Sequence, residues 1–239
     1  QFRSACCAMR ATRRHFSTEK FQYQPKVMFS NDSNTVVITP GVGKDGRQLP
    51  PATSVCIWMH GLGDNAQGSA MLMHRFAINL RHVKFILPTA DSRYVALLGS
   101  ETTSWYNIKG LPNRLEEPCE GLEESADRIK RMIVREVEAG TPPDRIVLGG
   151  FSQGGALALY TGVGLQARLS GVVACGAYLP LGCPALQLSP QSRFTPVLWV
   201  NGADDTVVLP AWARASADAL RAHGIQVDLR LTAGLGHGL

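Results

Sequence analysis

Short, nearly continuous apolar runs alternate along this chain with longer stretches in which apolar residues return every three or four positions. The runs at 34–39, 54–59, 83–87, 145–148, 170–174, 196–200 and 227–231 have the length and β-branched content of strands. Ser54-Val55-Cys56-Ile57-Trp58-Met59 reads as a buried central strand, and Pro88 closes the run at 83–87. Helical spacing occupies 70–80, a small-residue stretch at 155–160, and 211–223, which stops at Gly224. It is plainest in Leu122, Ala126, Ile129, Ile133 and Val137, where acids come early and Gly140 supplies the stop. Residues 91–107 form one long, rather apolar loop, and loops of that length inside a compact domain usually carry function.

Strands alternating with helices predict an α/β fold, with a mostly parallel central sheet, helices on both faces and no large lid domain. The glycines at 41–46 mark a turn. They do not form a phosphate loop, because the Walker spacing is absent, Asp45 stands where Ser or Thr must bind magnesium, and no helix follows.

Composition narrows this picture in three ways. With 239 residues and 45% hydrophobic content the chain can bury one sizeable core. No apolar run approaches the ~18 residues of a bilayer-crossing helix, so at most peripheral membrane contact is expected. Six cysteines (Cys6, Cys7, Cys56, Cys119, Cys175, Cys183) lack C-x-x-C or His-paired spacing and read as reduced, mostly buried thiols rather than a disulfide frame or a metal site.

The net charge of +5 has a definite location. Arg3, Arg10, Arg13, Arg14, Lys20 and Lys26 against Glu19 account for all of it, and the 18 cations and 18 anions of the remainder balance. A nucleic-acid surface on the folded body is thereby disfavoured, since it requires a clustered basic face. Residues 1–30 read as a basic tail, disordered or targeting, and 31–239 as the folded domain. Within the tail, Arg14-His15-Phe16-Ser17 resembles the processing signal of a mitochondrial presequence, and Cys6-Cys7 beside arginines is a weak S-acylation signal. Cytoplasm and mitochondrion are both compatible with such a tail.

Gly150-Phe151-Ser152-Gln153-Gly154 lies between the apolar run at 145–148 and the small-residue helix at 155–160. A G-x-S-x-G string arises by chance in glycine-rich chains; a strand before it and a helix after it make it a nucleophile elbow, which lifts a hydroxyl above a sheet on a strained turn. Ser152 is the candidate nucleophile.

A serine hydroxyl needs a base to take its proton, and the base needs an orienting carboxylate. In α/β-hydrolases the chain order is serine, acid, histidine. Two histidines follow Ser152. His223 falls in the last turn of a helix, where a cation complements the dipole; His237, in Gly234-Leu235-Gly236-His237-Gly238 just beyond the last strand, is the expected base. For the acid, Asp204 and Asp205 compete, and the G-x-x-D-x-x-V pattern counted from Gly202 selects Asp205 with Val208. The oxyanion requires backbone N–H donors, for which Gln153, after the nucleophile, and Leu62, in His60-Gly61-Leu62-Gly63, are placed. His60 precedes the serine and is expected to organise its loop. Acyl-serine chemistry requires no metal or organic cofactor.

These residues, with Asp64, Ser104-Trp105, the GGFSQGGAL segment at 149–157, Leu179-Pro180-Leu181 and Gly236-His237, resemble the acyl-protein thioesterases and lysophospholipase-like carboxylesterases from about residue 54 to the end. The resemblance implies an α/β-hydrolase fold and hydrolysis of S-acyl thioesters such as palmitoyl-cysteine, with S-acylated proteins or lipid esters as partners. The alternative is a carboxylesterase or lysophospholipase acting on small esters or lysolipids. A third reading, a catalytically silent hydrolase fold that only binds, would be marked by a missing triad member, and none is missing.

The resemblance also implies an acyl-chain groove lined by Leu62, Val95, Leu97, Leu98, Trp105 and Val208. The chain departs from the family at Trp105-Tyr106-Asn107, where Trp-Phe-Asp is common, and at Gly238-Leu239, where small hydroxyl residues usually follow the histidine. The family pattern continues into a final helix, which the domain at 31–239 is expected to lack.

Overall fold

A computed structural model describes residues 23–30, 34–110 and 114–238. In chain order the elements are β1 (Tyr23–Ser30), β2 (Thr35–Gly43), β3 (Ser54–Met59), α1 (Ala66–Asn79), β4 (Val83–Pro88), β5 (Ser92–Val95), β6 (Ser100–Thr103), α2 (Leu122–Glu138), β7 (Ile146–Phe151), α3 (Gln153–Gly164), β8 (Gly171–Cys175), β9 (Val197–Gly202), α4 (Pro210–Ala222) and β10 (Val227–Thr232). Among the described residues eight strands make one sheet in the order β1-β2-β4-β3-β7-β8-β9-β10. From β4 to β10 neighbours run parallel, while β2 is antiparallel to β4 and β1 to β2.

The chain leaves β3 for β4 on one side and later returns to β7 on the other. Strand order therefore reverses between β3 and β7, and in open α/β sheets the crevice at the carboxyl ends of such a pair is where ligands bind.

Helices cover both faces, as the alternation predicts. On one face α1 sets Met73 and Ala77 against Val36, Ile38, Phe85 and Leu87. On the other, α2, α3 and α4 share a core with Ile57, Leu148, Val172 and Trp199. The elbow helix α3 is buried at every position from Gln153 to Val163. A helix enclosed on all sides carries no polar stripe, so its sequence shows small and apolar residues rather than a helical rhythm. In α2 the expected stripe is buried at Leu122, Ala126, Ile129 and Ile133, while Val137 is exposed near the end.

Two expectations change. The boundary drawn at residue 30 falls too late, because 23–30 is strand β1, paired with β2 from Tyr23↔Gly43 to Ser30↔Thr35 with a bulge between Gln24 and Lys26. Pro25 and Lys26 hide the strand from a hydrophobicity reading, and both are tolerated because this is a sheet edge. The processing signal at Arg14-His15-Phe16-Ser17 and the Cys6-Cys7 pair lie outside the described residues. Residues 91–107, expected as a loop, contain the hairpin β5–β6, whose short strands are mostly polar.

Candidate active site

Strand β7 delivers the chain to Ser152 at φ +53 and ψ −119, a left-handed backbone unusual for a residue with a side chain. Such a conformation costs on the order of 1–3 kcal/mol and persists only where the surroundings impose it. Here the Ser152 amide donates to the Cys175 carbonyl at 2.8 Å, and the Ser152 carbonyl accepts from the Ala156 amide at 3.0 Å. Gly154 backs so closely onto the end of β3 that a Cβ on it would lie 2.5 Å from the His60 carbonyl oxygen. The turn is thus clamped between β3, β8 and its own helix, and the hydroxyl stands at the carboxyl rim of the sheet.

The Ser152 hydroxyl lies 3.0 Å from His237 Nε2, and His237 Nδ1 lies 2.8 Å from Asp205 Oδ2. His237 is packed as well as hydrogen-bonded. The Phe151 ring packs on it at 5.0 Å between centroids, and a Cβ on Gly176 would lie 3.4 Å from its Cε1. Asp205 is buried, and its other oxygen accepts from the amides of Val207 and Val208 at 2.9 and 2.8 Å. Neighbouring Asp204 is exposed, so the spacing argument selected the carboxylate that reaches the histidine.

Gly202 is what lets the loop carrying His237 approach β9. A Cβ there would run into the carbonyls of Leu235 and Gly236 and lie 2.6 Å from the Leu235 carbonyl carbon. The Gly202→Ala substitution should therefore displace the imidazole rather than unfold the sheet. A misplacement of about 1 Å costs roughly 10²-fold in rate, so kcat should fall by about that factor while the melting transition stays cooperative. Steady-state kinetics beside a thermal melt would check this.

Gln153 is the first residue of α3, and its amide has no intrahelical acceptor. Its side chain is buried and brackets the segment 104–106: Oε1 accepts from the Trp105 amide at 2.9 Å, and Nε2 donates to the Tyr106 carbonyl at 2.7 Å and to Ser104 Oγ at 2.9 Å. Leu62 lies on the adjoining β3–α1 loop, where a Cβ on Gly61 would sit 3.6 Å from Ser152 Cβ. Gln153 thus follows the serine directly, and Gly61, the residue before Leu62, packs against it.

Three of the expected groove residues are placed elsewhere. Val95, Trp105 and Val208 are only 0, 1 and 2% exposed, leaving no surface with which to line an open groove. Val95 and Trp105 belong to the main core, and the Trp105 indole Nε1 donates to the His60 carbonyl at 2.9 Å. Leu62 and Leu97 are partly buried against that core, and Leu98 is half exposed. An apolar residue in a loop has no periodicity to tell inside from outside, and this is why the expectation failed. Asn107, at a position where the family often has a carboxylate, accepts from the Ala96 amide at 3.0 Å and ties the hairpin tip to the chain before α2.

His223 closes α4, its Nδ1 2.8 Å from the Ala219 carbonyl. His60 is buried, its ring held by backbone groups on both sides. Cys56, Cys119, Cys175 and Cys183 are free; burial pushes the Cys175 thiol, beside the elbow, up to about 11, so it offers no thiolate to compete with the serine.

The family model described as Phospholipase/Carboxylesterase matches residues 34–239. Acyl-protein thioesterase 1 homolog 1 of Dictyostelium discoideum is 35% identical over 195 residues, covering 80% of this chain and 86% of that protein. Acyl-protein thioesterase 1 of Yarrowia lipolytica is 39% identical over 171 residues, covering 70% of this chain and 75% of its own length. Among solved structures, acyl-protein thioesterase 2 of Zea mays superposes with a TM-score of 0.68 at 28% identity, covering 86% of this chain and 91% of that one.

Proposed function

The chain belongs to the phospholipase/carboxylesterase family of α/β-hydrolases, and from that premise we propose that it hydrolyses S-acyl thioesters on proteins with Ser152 as the nucleophile. The observation that carries this reading is the unbroken line of two hydrogen bonds from buried Asp205 through His237 to the Ser152 hydroxyl. Its relatives named acyl-protein thioesterases point to the substrate class.

In this reaction Ser152 Oγ attacks the thioester carbonyl carbon as His237 Nε2 takes the hydroxyl proton. The carbonyl oxygen gathers negative charge and is met by the Leu62 and Gln153 amides. Collapse breaks the carbon–sulfur bond, and the imidazolium returns its proton to the departing cysteine sulfur. Water then attacks the acyl-serine ester with His237 again as base, releasing the fatty acid and restoring the hydroxyl. Asp205 keeps the proton on His237 Nδ1, so that Nε2 faces the serine as an acceptor.

Small carboxylic esters and lysophospholipids form the second reading, favoured by the family description itself. Side-by-side turnover of a palmitoyl-cysteine peptide, a lysophospholipid and a short-chain ester separates the two. The thioester reading expects kcat/KM for the palmitoyl peptide to exceed that of the others by at least about tenfold, a margin that binding a long acyl chain can supply. A preference of that size for the short ester would overturn it.

A further inference from the structure

His60 has no part in the proton transfer, yet its ring is tied at both nitrogens. Nε2 lies 2.9 Å from the Ala90 amide and can only accept from it, which puts the ring proton on Nδ1, and Nδ1 is 2.6 Å from the carbonyl oxygen of Gly61. That oxygen also accepts from the Asp64 amide at 3.2 Å, closing a tight turn with Gly63 at φ +76 in its third position. The peptide joining Gly61 to Leu62 is trans, as all described peptides are, and in a trans peptide the C=O and N–H point in opposite directions. Whatever holds the Gly61 oxygen on one side therefore aims the Leu62 N–H to the other.

Resting on the hydrolase reading above, we propose that His60 is a positioning residue for the oxyanion site: its Nδ1–H grips the Gly61 carbonyl and so fixes the plane of the peptide whose opposite end, the Leu62 N–H, meets the developing oxyanion. The remaining bonds of the site join this device to the other donor. Trp105 Nε1 donates to the His60 carbonyl, and the Trp105 amide donates to the Gln153 side chain, so Trp105 joins His60, two residues before Leu62, to the residue that carries the other donor. The outer end of the turn is held by Thr103, whose carbonyl accepts from the Gly63 amide at 2.9 Å and whose hydroxyl donates to the Asp64 carbonyl at 2.6 Å.

Only a neutral imidazole can donate at Nδ1 while accepting at Nε2. Burial lowers the pKa of His60 below the ordinary 6.5 and favours that form; the hydrogen bond to the Gly61 carbonyl and then Asp64 in the same turn oppose the shift, and Arg128 of α2, whose guanidinium lies 6.0 Å from the Trp105 ring centroid, assists it. The oxyanion exists only after attack, so the grip should act on kcat and leave ground-state binding alone.

Three variants test this. His60→Leu removes both ring bonds, His60→Asn restores an N–H at the distance of Nδ1 from the backbone, and His60→Gln carries its N–H one atom further out. All three lose the bond to Ala90 or strain it, so a merely structural role predicts three similar enzymes. The positioning role predicts that Leu and Gln lower kcat and the rate of fluorophosphonate labelling at Ser152 by about 10²-fold at equal folded fraction with KM within about twofold, and that Asn recovers at least about tenfold. Should the Leu variant fail to fold, the Asn and Gln pair alone decides. Equal labelling rates for Asn and Gln, or wild-type labelling in Leu, would overturn the positioning role and leave the hydrolase standing; a wild-type protein that takes no label would overturn both.

Discussion

Replacing Ser152 with alanine should lower thioester and ester turnover by about 10⁴-fold or more, with the fold intact. Removing one member of a nucleophile–base–acid unit forfeits nearly the whole contribution of the unit, because an imidazole without a hydroxyl to deprotonate has no covalent path to assist. What survives is the smaller enhancement from the oxyanion amides and from substrate binding. Stability should hardly move. The hydroxyl's interaction is with His237, itself part-buried, and loss of one such hydrogen bond is worth about 1 kcal/mol. The left-handed turn is imposed by the backbone bonds to Cys175 and Ala156, which alanine keeps. Kinetics on purified protein, paired with a fluorophosphonate label that should vanish, gives the measurement. A variant hydrolysing at near wild-type rate would remove Ser152 from the mechanism.

The elbow and its partners were legible in the sequence because each has a local requirement that few residue types meet. A serine forced to φ +53 between strand and helix needs small neighbours on both sides, and Gly150, Gly154 and Gly155 announce it. Asp205 was separable from Asp204 because the G-x-x-D-x-x-V spacing counted from Gly202 selects it, and in the structure it is Asp205 that is buried. His60 was recognisable as a loop organiser by chain order, although its two ring contacts were not. What stayed hidden depends on contacts between distant positions: the Gln153 carboxamide bridges 48 residues to reach Trp105, and no string of neighbours encodes that. The same limit explains Val95 and Trp105, apolar in a segment without rhythm, and β1, whose pairing with β2 outweighs a proline and a lysine.

The second large effect isolates Asp205 more finely than deletion can. Its Oδ1 accepts from two backbone amides, Val207 and Val208, while Oδ2 faces His237 Nδ1. In Asp205→Asn only the carbonyl oxygen can still accept from those amides, so the new NH₂ must turn toward the histidine. Nδ1 then has to accept, the ring proton moves to Nε2, and the nitrogen facing Ser152 becomes a donor that cannot take the serine proton. The expected result is a fall in kcat of about 10⁴-fold near neutral pH, with the fold kept because both amide bonds survive. Asp205→Ala is a poorer probe, since it strands two amides and adds roughly 1–3 kcal/mol of destabilisation to any catalytic loss. Asp204→Asn is the matched control, an exposed neighbour whose change should leave turnover within about twofold. Measured together at equal folded fraction, a large loss at 205 with none at 204 assigns the orienting carboxylate; a reversed pattern would place it on Asp204 and break the proton-passing line through His237.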